Sequence, residues 1–241
     1  MDAGQDIVEQ GEISRNFYLI LDGAMRVHIQ TAAGQHIDLV TLEKGNFFGE
    51  FACVYQLPRT ATVTAATDAV VLKFSDAAVA QLIDSSPMAG DSLMAVVQRR
   101  MVESMSYGHQ AFVELPAVDR GWLADEAELL EYSSGDCIGK KGSFGADHFY
   151  IIAFGKAAAS RDVGGGKTLH CELGVNAMFG DGSRLLSFPA GTELHAFERC
   201  LVCKIPIEIF DSFFNAYGGF EHWLEKHVAT QNKQLQVQMT A

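Results

Sequence analysis

An internal repeat constrains this fold more than any other feature of the sequence. Asn16-Phe17-Tyr18-Leu19-Ile20-Leu21-Asp22-Gly23 recurs as His148-Phe149-Tyr150-Ile151-Ile152-Ala153-Phe154-Gly155. Gly45-Asn46-Phe47-Phe48-Gly49-Glu50 recurs as Asn176-Ala177-Met178-Phe179-Gly180-Asp181, and Gly4-Gln5-Asp6-Ile7 matches Gly135-Asp136-Cys137-Ile138. The shift is 131 or 132 residues at every match (Gly4 to Gly135, Tyr18 to Tyr150, Gly49 to Gly180). A shift constant to one residue and as long as a domain means two copies of one folding unit. We place them at residues 1–112 and 113–241.

Each copy opens on β-patterned sequence and closes on helices. The aromatic and β-branched run from Phe17 to Ile29 is broken by the turn dipeptide Asp22-Gly23. Ile37 to Val40, Ala61 to Ala65 and Ala69 to Phe74 follow as further strands. Short strands at such spacing, joined by Gly-rich turns, predict a jelly-roll-like β-barrel (a double-stranded β-helix). Ser75 is placed to cap a helix beginning at Asp76. After Pro87 a longer helix carries Leu93, Val97, Met101 and Met105 on one stripe. The expected class is therefore mainly β with flanking helices: two tandem barrels, each with C-terminal helices. The second copy also has a lead-in from Leu115 to Glu131 for which the first has no counterpart, which suggests a chain cut from a longer protein.

Charge narrows the partners. The formal net charge is −12, and both halves are acidic. A nucleic-acid surface needs a basic stripe, and an anionic membrane face needs the same, so both are disfavoured. No apolar stretch reaches the roughly 20 residues of a membrane span, and the N-terminus lacks a secretory leader. Five cysteines, an odd number, suit reduced thiols in a cytoplasmic protein. A small anion held by one buried arginine stays open.

The densest chemical signal is Phe48-Gly49-Glu50-Phe51-Ala52, followed after five residues by Pro58-Arg59-Thr60-Ala61. Gly49 has no Cβ, so an anion can approach the backbone there. The segment from Glu50 can open a short helix whose unpaired N–H groups face an anion. Arg59 offers a planar fork of donors to phosphate oxygens, and the Glu50 carboxylate, an acceptor only, suits a sugar hydroxyl. The competing reading is a Glu50–Arg59 ion pair that closes a turn. Thr60 is either an ordinary strand threonine or a hydroxyl that reaches the phosphate or a guanine amino group.

These residues resemble the phosphate-binding cassette of the cyclic-nucleotide-binding domains, F-G-E-x-A followed by P-R-x-A. Gly4, Gly11, Tyr18, Gly23 and Gly45 fall where that family keeps its turn glycines and barrel aromatic. The resemblance covers nearly the whole chain as two tandem copies, in the manner of protein-kinase regulatory subunits and without the helix-turn-helix of catabolite activators. It assigns the ribose 2′-OH to Glu50 and the exocyclic phosphate oxygen to Arg59. It also implies a purine cover from the C-terminal helix or a neighbouring domain, for which Met101, Met105 and Tyr107 are the candidates. The implied ligand is cyclic AMP, with Thr60 keeping cyclic GMP open. The implied role is a regulatory module that shifts its helices to signal to an effector outside the chain. The alternative is a non-binding scaffold for interaction or oligomerisation, and a homodimer fits either reading.

The second copy departs from the cassette. Gly180 is followed by Asp181, one methylene short of the expected glutamate, and the position ten residues after Gly180 holds Ala190 where the first copy has Arg59. Arg184 can pair with Asp181 on the same turn. Losing a two-pronged arginine, at roughly 1.5–3 kcal/mol per charged hydrogen bond, makes this a degenerate pocket. Three decoys carry no function. Gly164-Gly165-Gly166-Lys167-Thr168 lacks the first glycine of a P-loop and reads as a hairpin turn. Cys200 and Cys203 point to opposite faces of one strand. Glu193 and His195 have no nucleophile or metal partner. No catalytic or metal-ligating constellation is visible.

Overall fold

The computed structural model describes the chain except residues 31–33, 113, 146, 165–167, 181–187, 189, 190, 240 and 241. It divides into two compact units, Met1–Val97 and Gln98–Ala241. The boundary expected at 112 falls at the end of a short 3₁₀ turn, Gln110–Phe112; the compact units meet within the preceding helix.

The first unit runs β1 (Asp6–Val8), β2 (Phe17–Asp22), β3 (Ala24–Gln30), β4 (His36–Glu43), β5 (Phe47–Phe48), α1 (Glu50–Val54), β6 (Thr62–Ala65), β7 (Val70–Phe74), α2 (Asp76–Ser85) and α3 (Pro87–Gly108), whose last turns belong to the second unit. The strands form two antiparallel sheets, β1-β6-β3-β4 and β5-β2-β7. Their inward residues, among them Val8, Tyr18, Ile20, Met25, Phe48 and Val63, make one core, so the unit is a jelly-roll-like sandwich. Strand alternation drives this arrangement: Tyr18 and Ile20 point inward, and Phe17 and Leu19 outward. The Ser75 hydroxyl accepts the Ala78 N–H at 3.2 Å, which satisfies one of the orphan donors at the start of α2.

The second unit continues with α4 (Ala117–Glu126), β8 (Glu128–Tyr132), β9 (Cys137–Lys140), β10 (His148–Phe154), β11 (Ala157–Asp162), β12 (Thr168–Leu173), β13 (Met178–Phe179), β14 (Thr192–Ala196), β15 (Cys200–Pro206), α5 (Ile207–Ala216) and α6 (Gly218–Met239). Its sheets are β13-β10-β15-β8 and β12-β11-β14-β9, again antiparallel around a common core. The lead-in of the second copy becomes α4 and β8. Here β8 pairs along β15, and Phe149, Ile151, Leu201, Cys203 and Ile205 are fully buried where α4 and α5 pack on β10 and β15. On the first unit the matching strand β7 ends its sheet, and Val70 and Leu72 are exposed. The β11–β12 hairpin, with Asp162 opposite Thr168, accounts for the false P-loop, although residues 165–167 of that motif lie outside the described residues.

Candidate functional site

In the first unit the site is built around a buried arginine. The backbone of Arg59 is fixed before its side chain is considered: its N–H donates to Glu12 O at 2.9 Å, and its carbonyl accepts the Gly11 N–H at 2.8 Å. The guanidinium then enters a collar of uncharged acceptors. Nε donates to Ser14 Oγ at 2.9 Å, Nη1 to Gly49 O at 3.1 Å and Nη2 to Asn16 O at 2.8 Å. Below it lies the Tyr18 ring, 5.8 Å from Cζ, itself stacked on Phe48 at 4.9 Å and 9° from parallel. Arg59 is only 4% exposed.

Electrostatically this is an unusual place for a cation. None of the three acceptors is charged, so the ion pair with Glu50 that would have explained the motif without a ligand is not what holds Arg59. Burial pushes the guanidinium pKa down, with Tyr18 foremost among the groups opposing that shift. The carboxylates of Glu12 and Glu50 oppose it too, but neither hydrogen-bonds the guanidinium among the described residues, and a buried cation held by neutral acceptors costs several kcal/mol after relaxation. A guanidinium carries five N–H donors; the collar takes three, and the remaining two suit the oxygens of an anion.

Gly49 completes the cradle. It stands in the left-handed region at φ 84° and precedes the first residue of α1. A Cβ there would come within 2.6 Å of both Arg59 Nη1 and Asn16 O. Glycine is thus required twice, for the backbone conformation and for the approach of the guanidinium. Glu50 opens α1 and is itself buried at 6% exposure; Ala52 is buried too, and Phe51, Thr60 and Ala61 are half-buried. Between α1 and Arg59 the chain turns at Gln56, a non-glycine residue at φ 53°. Such strain clusters at ligand clamps.

The structure brings Phe48, Gly49 and Arg59 together around Tyr18. It adds three groups absent from the motif reading: Ser14, the Asn16 carbonyl and the Gly11–Glu12 backbone. Two of these act through main-chain atoms, which no side-chain pattern can announce. Met101, Met105 and Tyr107 belong to the second compact unit, where Met101 is buried and the Tyr107 ring lies 4.4 Å from the Arg120 guanidinium. In that unit Gly180 follows β13 as expected, whereas Asp181, Arg184 and Ala190 lie outside the described residues. Glu193 and His195 form a surface cluster with Lys140, at 2.5 Å from Lys140 Nζ and 3.3 Å from His195 Nε2. Among the described residues no three His, Cys, Asp or Glu side chains are grouped to hold a metal, and no helix is long and apolar enough to cross a membrane.

The model of the cyclic nucleotide-binding domain matches residues 1–86 and again residues 129–217. The chain belongs to that family. The cAMP-dependent protein kinase regulatory subunit of Dictyostelium discoideum is 25% identical to it over 240 residues, covering 97% of this chain and 69% of that protein. Other curated regulatory subunits are matched over 36–48% of their length. Among solved structures, the regulatory domain of Toxoplasma gondii PKA with cAMP covers 97% of this chain and 84% of its own, at 19% identity and a TM-score of 0.44. The regulatory subunit of a cAMP-independent protein kinase A from Trypanosoma brucei covers 98% and 82%, at 20% identity and a TM-score of 0.47. The domain is present in tandem, and the relatives are regulatory subunits.

Proposed function

We propose that the first unit binds one cyclic nucleotide, cyclic AMP foremost, with the phosphate on Arg59 and the Gly49 turn and the ribose hydroxyl on Glu50. The observation that carries this is the buried guanidinium whose hydrogen-bond acceptors are all neutral and whose fork keeps two donors in reserve. A cyclic phosphodiester brings one negative charge and two exocyclic oxygens, and so supplies a charged acceptor in direct contact with the guanidinium. Thr60, half-buried and directly after Arg59, makes cyclic GMP the competing ligand.

The signal leaves through the helices that follow the cassette. α2 packs on α1, so tightening of the cradle is passed to α2. A ligand shifts this equilibrium only by its different affinity for the two arrangements. The receiver we propose is a protein kinase catalytic subunit, in keeping with the regulatory subunits among the relatives, in a cytosolic complex. The scaffold role is assigned to the second unit alone.

Calorimetric titration of the full chain with cyclic AMP, cyclic GMP and 5′-AMP tests the reading. The expected result is saturable binding of a cyclic nucleotide at one site per chain, with 5′-AMP much weaker. Silence with both cyclic nucleotides would sink it.

A further inference from the structure

Three rings in the second unit meet where α6 docks. His109, between α3 and the 3₁₀ turn Gln110–Phe112, lies edge-on to Trp223 of α6 at 5.2 Å and 66°. On its other side Trp223 stacks on His227, at 4.3 Å and 16° from parallel. Beside the rings, Trp223 Nε1 donates to Gln110 Oε1 at 3.2 Å, and Phe112 stacks on Phe220 at 5.9 Å. Phe220 and Leu224 are buried, whereas Glu225, Lys226, Ala229 and Thr230 are exposed. The first turns of α6 are therefore held by one face, and the rings make up much of it.

His109 is 1% exposed and is built to stay neutral. The Ala111 N–H, which can only donate, meets Nδ1 at 3.1 Å, so Nδ1 is the bare nitrogen. Nε2 then carries the proton and donates to Asn176 O at 3.2 Å. A second proton, on Nδ1, would set N–H against N–H and bury a cation with no anion beside it. α3 meets His109 with the Met105 carbonyl, the turn before β13 with the Asn176 carbonyl, and the 3₁₀ turn with the Ala111 N–H and the Phe112 ring. None of these is charged. Among the described residues His227, on α6, is the titratable group that acts on His109, and it acts against protonation. His227 Nε2 is itself buried without a hydrogen-bond partner among the described residues, so a proton there is no better placed.

We infer that α6 is a proton-released arm: His109 keeps it docked while neutral, and acid frees its first turns before the strands come apart. Burial pushes His109 down to about 4 while α6 is docked, and it lowers His227 as well. Once α6 is free, His109 takes its proton near the ordinary value of about 6.5. Docking is therefore at full strength above pH 6.5 and weakens as pH falls toward 4, by about thirtyfold at pH 5. The arm works in this way whatever the first unit binds.

Amide hydrogen exchange of the full chain at pH 7.5 and pH 5, corrected for intrinsic rates, tests it. Amides of residues 222–230 should exchange well before those of β10 and β15 at both pH values. Their protection should fall about thirtyfold on going to pH 5. In His109→Gln, whose side-chain oxygen can still accept the Ala111 N–H, that fall should shrink to about a third or less. Residues 222–230 exchanging together with β10 and β15, protection that holds at pH 5, or a folded His109→Gln with the wild-type fall would overturn the inference. Should His109→Gln fail to fold, the wild-type protection at the two pH values still decides it.

Discussion

Replacing Arg59 by glutamine removes the charge and the fork while keeping most of the side chain's bulk. Two guanidinium donors lie outside the Ser14, Asn16 and Gly49 collar. At roughly 1.5–3 kcal/mol per charge-assisted bond their loss costs about 3–6 kcal/mol of ligand affinity. With tenfold per 1.4 kcal/mol, cyclic AMP should bind at least about a hundredfold more weakly. The unliganded fold should behave differently. Removing the cation breaks no ion pair, and the Gly49 carbonyl still accepts the Cys53 N–H at 3.1 Å. The cost to the free first unit should be about 1 kcal/mol or less, a midpoint shift within about 8 °C for a domain of this size. Arg59→Lys, which keeps the charge as a point but loses the fork, should fall between. The assay is calorimetric titration beside thermal unfolding of the nucleotide-free chain. A folded Arg59→Gln variant that binds cyclic AMP within threefold of wild type would refute the reasoning, as would a variant that loses far more stability than affinity.

Other outcomes follow from the same geometry. Ser14→Asp places a carboxylate beside Arg59 Nε; the first unit should melt higher without nucleotide and bind cyclic AMP at least about tenfold more weakly, checked by the same two measurements. Gly49→Ala forces a non-glycine residue to φ 84° and drives its Cβ to 2.6 Å from Arg59 Nη1, so it should abolish titratable binding and destabilise the first unit by at least about 1–2 kcal/mol. In the second unit, His109 is buried, its Nδ1 accepting the Ala111 N–H and its Nε2 meeting Asn176 O, and burial pushes its pKa down to about 4. The unfolded chain, at about 6.5, takes up a proton that the folded one refuses. Stability is therefore full above pH 6.5 and declines as pH falls toward 4, by about 3 kcal/mol in total. His109→Gln should flatten that slope in unfolding curves recorded across this range, and an unchanged slope would contradict it.

Much of this was legible in the sequence because the repeat fixes both copies at once. The turn at Asp22-Gly23, the strand alternation through Tyr18 and Ile20, and the Ser75 cap are local rules that tertiary packing leaves intact. Gly49 and Arg59 were legible because their chemistry has few substitutes. The collar around Arg59 was not: Asn16 and Gly49 contribute carbonyls, and Ser14 is an unremarkable loop serine until the fold brings it within 2.9 Å. Nor could sequence say that Phe144 is buried while Ile13, its counterpart by the 131-residue shift, is 85% exposed, since hydrophobicity is alike at both positions. Room for the ring is left by Gly139, where a Cβ would sit 2.5 Å from a Phe144 ring carbon.

The most direct measurement is nuclear magnetic resonance of the ¹⁵N-labelled chain, following the Nε–H signal of Arg59 identified by its loss in Arg59→Lys. Adding cyclic AMP should shift that signal progressively until one equivalent is bound, and then no further. A signal that stays put at saturating nucleotide would mean the guanidinium never meets a phosphate.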